Sequence, residues 1–303
     1  MAGMQSKATI LSVDLDDVAC YHAIHGLPPP SDRAARIVLE RCLPRFIELF
    51  DEVAATATFF VVGRDLERDL QSGGRGAALL RQAAKGGCEL ANHSHSHPYD
   101  LTRWSGAEIH ADLARCDDLL RGLLRGLGGG RPRGFRAPGY THDRRLLEQV
   151  AALGYSYDSS LLPSPTYYLA KLSMIALKGL RGRRSASMVS GWRSFVGRDR
   201  PFFRPDVGLW EMPISVLPRL RLPMVGTLIL GNERATRAAA DLGYLHLELH
   251  ALDLADPDSD GFDPALLRHQ PELRSSLKVR RERLKWLLEE RGGAATIAGA
   301  LSL

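Results

Sequence analysis

A chain of 303 residues whose 40 basic and 35 acidic side chains leave a net charge of +5 can bury a large core as one domain. Its charge is too weak and too dispersed to argue for a nucleic-acid partner. The four cysteines, Cys20, Cys42, Cys88 and Cys116, show no Cys-x-x-Cys spacing and are expected as free buried thiols rather than a zinc ribbon or redox motif.

No run approaches the ~20 apolar residues that span a bilayer, and the start lacks a basic stretch followed by an apolar segment. A cytoplasmic protein is expected, at most peripheral to the inner membrane face. The first element, Thr9-Ile10-Leu11-Ser12-Val13, reads as a strand that runs into Asp14, Asp16 and Asp17. Carboxylates at the end of an apolar strand are costly unless they meet a cation.

Ile37, Val38, Cys42, Phe46, Ile47 and Phe50 recur at helical spacing over 34–53, with Ser31 or Asp32 as cap. A buried strand follows at 58–63, a helix at 76–85 and a short strand at 88–91. That strand leads into Asn92-His93-Ser94-His95-Ser96-His97-Pro98. Alternating histidines are hard to explain by packing, and two neutral imidazoles with one carboxylate form an open three-ligand metal site. His95 is expected to face away, and Asn92 to bond the loop backbone.

A long helix is expected at 105–125, a glycine-rich loop at 126–134, and then a strand through Phe135 and Arg136 that must stop at Pro138. A helix at 143–153, strands at 155–158, 209–214 and 244–249, and a last helix at 277–291 complete the rhythm. Strands alternating with helices predict a parallel sheet with crossover helices. The segment at about 164–205 departs from this rhythm and reads as an insertion that shapes substrate access within a single domain, 1–303. Its part 168–187 mixes apolar residues with Lys171, Lys178, Arg181, Arg183 and Arg184. Such a stretch suits an ordinary surface helix or contact with an anionic lipid surface.

Five strand ends thus offer Asp14, Asp16 and Asp17; His93 and His97; Arg136 with Tyr140; Asp158; and His246 or His250. One metal, a spare carboxylate as base and a histidine as acid make up a set for metal-assisted hydrolysis. Alternation puts His246, Glu248 and His250 on one side of a strand and does not choose between the histidines; the C-terminal edge favours His250. His22 and His25 could line the cleft, and Glu211 suits either a structural or a substrate-positioning role.

These motifs resemble the NodB-type polysaccharide deacetylases of carbohydrate esterase family 4. Ser12-Val13-Asp14-Leu15-Asp16-Asp17 resembles an Asp-x-Asp variant of the family's first motif, and His93-Ser94-His95-Ser96-His97 its second. Arg136-Ala137-Pro138-Gly139-Tyr140 is similar to the third, and Tyr157-Asp158-Ser159-Ser160 to the fourth.

The resemblance implies a distorted, seven-stranded (β/α) barrel. It further implies Asp14 as base oriented by Arg136, and Asp16, His93 and His97 as ligands of a divalent metal, zinc, with Asp17 as the alternative to Asp16. Tyr140 would offer its backbone N–H to the oxyanion, and His250 would act as acid oriented by Asp158. The implied activity is removal of an acetyl or other acyl group from an N-acylated sugar. Rivals are a deformylase or deacetylase of a lipid-linked sugar or glycolipid, an amidase of a small non-sugar amide, and a binding module without catalysis.

Overall fold

The structure, a computed structural model, describes residues 7–128, 130–180, 185, 186, 188, 189 and 195–303. One curled sheet of eight strands organises it: β1 Ala8–Asp14, β2 Thr58–Val61, β3 Glu89–Asn92, β4 Gly134–Phe135, β5 Tyr157–Asp158, β6 Phe202–Arg204, β7 Leu209–Glu211 and β8 Tyr244–His250. The order is β6-β7-β5-β4-β3-β2-β1-β8. Seven strands run parallel, as expected of the barrel, and β6 pairs antiparallel with β7 at one edge. That eighth strand lies inside the segment read as an insertion, where no period-two pattern marks three residues.

The two ends of the curl approach each other without a continuous ladder. Ser215 donates its N–H to the His246 carbonyl at 3.1 Å, and Glu248 donates to Met224 at 3.1 Å. The barrel is therefore closed by the chain that follows β7.

Successive strand residues face opposite sides, and here the two sides differ in kind. Leu11, Val13, Phe59, Val61, Leu90, Leu247 and Leu249 pack outward against helices such as Leu43–Glu52 and Leu277–Glu290. Fully burying one such side chain contributes roughly 1.5–3 kcal/mol. Inside, Ile10, Phe60, Ala91, Tyr157, Met212 and Ile297 plug the floor of the barrel. Gly134 is required there, because a Cβ at that position would lie 1.8 Å from the Tyr157 ring. Above the plug the interior turns polar, with Ser12, Asp14, Arg136, His246 and Glu248 all buried.

The helix Gly106–Leu124 shows how local sequence sets an element. Ser105 and Glu108 form a capping box at its start, and Ile109, Leu113, Cys116, Leu120 and Leu123 bury one face.

The helix Pro165–Leu180 overturns the expected charge pattern of its segment. Its lysines, Lys171 and Lys178, are buried, whereas Leu169 and Leu180 are 63% and 86% exposed and Leu172 and Leu177 also face out. Of the residues named in the sequence reading, Arg181, Arg183 and Arg184 lie outside the described residues. Among the described residues no helix is long and apolar enough to cross a membrane.

Candidate active site

The polar residues gather where β1, β3, β4 and β8 end. The loop after β3 is held by its own side chains: Asn92 accepts from the Ser94 N–H at 2.7 Å and Ser94 Oγ accepts from the His97 N–H at 3.0 Å. Asp112, on the long helix, accepts from the N–H groups of His95 and Ser96. This clamp holds Ser94 and His97 at φ of 63° and 52°, a backbone that costs energy in any residue but glycine.

Asp16, His93 and His97 converge as expected. Asp16 Oδ1 lies 3.1 Å from Nε2 of both His93 and His97. His93 Nδ1 is 2.8 Å from the Arg136 carbonyl, so that nitrogen carries the proton and Nε2 presents its lone pair. Asp16 Oδ1 and both ring nitrogens of His97 are buried without a hydrogen-bond partner. Buried polar atoms are normally paired, and three donor atoms within 4.8 Å of one another fit a divalent cation. Asp17 is withdrawn from this set, because it caps the helix Val18–His25 through the Ala19 N–H and meets Arg68 at 2.6 Å. His95 turns away to Glu67, 3.2 Å distant.

Beside the trio, Arg136 is wholly buried. Its guanidinium lies 4.1 Å over the Phe60 ring, donates to Asp14 Oδ1 at 2.5 Å and to Ser12 Oγ at 3.0 Å, and stands 3.6 Å from Glu248. Burial alone would raise the Asp14 carboxyl, but Arg136, His93 and His250 together hold it below the ordinary range. Asp14, Glu248 and His250 form a second group of donors within 4.8 Å. With Arg136 already against Asp14, an ion there would meet like charge at contact distance.

His250 and His246 are separated by depth. His246 sits within the barrel, 3.1 Å from Ser12 Oγ and 3.0 Å from the Pro213 carbonyl, and burial with the charge of Arg136 lowers its pKa to about 3. His250 lines the cleft. Burial opposes its charge, but Glu248 at 3.9 Å together with Asp14, Asp16 and Asp253 raises its pKa to about 9.

Two expectations about this centre are corrected. Asp158 does not face His250: Tyr157 and Ser159 point into the barrel, so the intervening residue points out. There it accepts from Ser160 Oγ at 2.6 Å, beside Glu211. The carboxylate that faces His250 is Glu248, which sequence reasoning missed even though its position two residues before His250 placed it on the same face. Tyr140 also differs from expectation. Its N–H donates to the Ala137 carbonyl at 3.0 Å, and it is the phenol that enters the site, bonding Glu248.

Glu211 proves structural, accepting from the Leu161 N–H at 3.1 Å. His25 lines the cleft, while His22 bonds the Pro28 carbonyl at 2.5 Å.

A cleft of about 570 Å³ opens over these groups, and Tyr21, Ile24, Tyr167, Met174, Val225 and Leu228 form its apolar walls. Fold and site together define a mostly parallel (β/α) barrel with an Asp-His-His group that could hold a cation at its C-terminal edge. Residues 32–157 match the polysaccharide deacetylase family, a span that includes His93, His97, Arg136 and Tyr140. That match bears out, for this part of the chain, the resemblance of its motifs to the NodB-type polysaccharide deacetylases of carbohydrate esterase family 4.

A peptidoglycan deacetylase-like protein of Gibberella zeae is 29% identical over 168 residues, covering 53% of this chain and 46% of the relative. A chitooligosaccharide deacetylase of a Bradyrhizobium species is 30% identical over 97 residues, covering 32% and 39%. The chain thus spans less than half the length of either relative. In fold it is similar to a Mycobacterium smegmatis protein assigned to the polysaccharide deacetylases, with a TM-score of 0.58 at 17% identity, covering 100% of this chain and 91% of the other.

Proposed function

We propose that this protein is a metal-dependent hydrolase that removes an N-acyl group, acetyl in the first instance, from a substrate containing an amino sugar. The observation that carries this reading is the Asp16, His93 and His97 trio with an Arg136-held carboxylate, Asp14, 3.6 Å from His93. A divalent ion on the trio, zinc by the nitrogen and oxygen donor set, supplies Lewis acidity toward the acyl carbonyl and toward water.

The chain's own groups supply the proton transfers. Asp14, kept ionised by Arg136, accepts a proton from the attacking water. His250, kept protonated by Glu248 and Asp14, donates to the leaving amine nitrogen. The test is acid release from N-acetylated chitooligosaccharides by zinc-loaded protein. Stoichiometric metal without release of acetate, formate or ammonia from a broad amide panel would favour the non-catalytic binding module instead.

A second reading, a lipid-linked N-acyl sugar as substrate, draws support from the leucines exposed on the helix Pro165–Leu180, which borders the cleft. Faster turnover of a polyprenyl-linked N-acyl sugar than of soluble oligosaccharides supports it, and the reverse order excludes it. The same leucine face makes contact with a membrane surface, from the cytoplasmic side, part of this second reading.

A further inference from the structure

Lys171 comes from the helix Pro165–Leu180 and lines the active-site cleft, yet only 7% of it is exposed. Its Nζ donates to the Gly139 carbonyl at 3.1 Å and lies 5.8 Å from the centre of the Tyr167 ring. Among the described residues no carboxylate forms an ion pair with it, and burial alone accounts for a pKa lowered to about 8. The acidic groups of the reaction centre are therefore served by Arg136 and His250, and Lys171 stands apart from them in the same cleft.

A buried ammonium without a counter-ion is costly, and one backbone carbonyl satisfies one of its three N–H groups. Next to it, the Tyr99 ring edge packs on the same side of Gly139, and the Tyr99 hydroxyl is buried without a partner. Tyr21, another cleft residue, also has an unpartnered buried hydroxyl. Both hydroxyls lack an acceptor, and the ammonium has two N–H groups beyond the one that the Gly139 carbonyl takes.

We propose that Lys171 forms an anion subsite in the cleft wall that receives a phosphate or carboxylate carried by the substrate away from the bond that is cut. The inference rests on the deacetylase reading for the nature of the substrate. A competing role is mechanical: Lys171 braces the turn in which Gly139 and Tyr140 both have positive φ, 62° and 61°.

Equilibrium binding to the full-length, zinc-loaded protein separates these roles. Glucosamine, glucosamine 1-phosphate and muramic acid are suitable probes, because being already deacylated they are not turned over. The wild type binds one or both charged probes about tenfold more tightly than glucosamine, the gain of one charge-assisted contact. Lys171→Met erases that preference without changing glucosamine binding, and Lys171→Arg restores it.

Preference for the phosphate probe alone assigns a phosphate ester, and preference for muramic acid alone assigns a carboxylate. Equal binding of all three by the wild type overturns the subsite. So does an equal loss for all three in Lys171→Met, the signature of a bracing role. Should Lys171→Met fail to fold, Lys171→Gln carries the test: it can still donate to the Gly139 carbonyl but has no charge, and weaker binding of the charged probe only is expected. Failure of the deacetylase reading has a different signature, no acid release by the wild type whatever the binding pattern.

Discussion

The phenol of Tyr140 donates to both carboxylate oxygens of Glu248, at 2.7 and 2.8 Å, within the polar upper part of the barrel. Burial and the charge of Asp14 raise the Glu248 carboxyl to about 8, and the Tyr140 bond works against that rise. Glu248 in turn faces His250. A residue expected to act through its backbone therefore bears on the site through a chain of two side chains.

If His250 is the acid, Glu248→Gln moves the alkaline limb of kcat/KM. Loss of the carboxylate removes the largest of the charges that oppose burial, so the His250 pKa falls from about 9 toward the ordinary histidine range and less of the imidazole is charged at pH 8. The expected loss there is about tenfold or more, shrinking as the pH is lowered. A pH–rate profile of wild type and variant reads it; superimposable profiles would remove Glu248 from this role.

Asp14→Asn is expected to lower turnover by roughly 10²- to 10⁴-fold while the protein retains about one equivalent of metal. Metal analysis by mass spectrometry alongside acid release decides the point. Loss of metal in this variant would mean that Asp14 is a ligand and that the roles of Asp14 and Asp16 are exchanged.

His93→Ala and His97→Ala are each expected to empty the cation site, and chelation of the wild type to abolish turnover until zinc is restored. Asp17→Asn should keep its metal, since Asp17 faces Arg68 and a helix start. Full occupancy in either histidine variant would sink the metal assignment.

Arg136→Met leaves Asp14 and Glu248 buried without their shared cation. Breaking such a pair costs on the order of 3–5 kcal/mol, visible as a lower midpoint in denaturant. Without Arg136, burial prevails on Asp14, so its pKa rises and the acid limb of the rate profile moves up. Unchanged stability would show that water or another cation replaces the guanidinium.

Asp158→Asn tests the corrected partner of His250. Because the carboxylate is held by Ser160 on the outer side of the sheet, the alkaline limb is expected to stay in place. A limb displaced as in Glu248→Gln would restore Asp158 as the orienting group.

Much of the architecture was legible because it is local. Short apolar runs marked β1, β2 and β3, alternation marked the inward face of β8, and apolar residues at helical spacing from Ile109 to Leu123 marked the long helix. The short strand β6 and the helix Pro165–Leu180 were not legible in the same way. Three residues carry no period, and in that helix lysines turn inward and leucines outward, against the usual sorting of side chains.

By itself the sequence determined which residues stand at the C-terminal ends of the strands, because alternation and strand length follow from covalent geometry. Asp14, His93, Arg136 and His250 could be placed on that ground. Tertiary structure decided which of them meet. Arg68 withdraws Asp17, the outward turn of Asp158 leaves Glu248 as the carboxylate before His250, depth separates His250 from His246, and Lys171 arrives from a segment that had looked like surface. Contacts across a barrel depend on how far the sheet bends and which face each strand turns inward, and neither is fixed by neighbours in the chain.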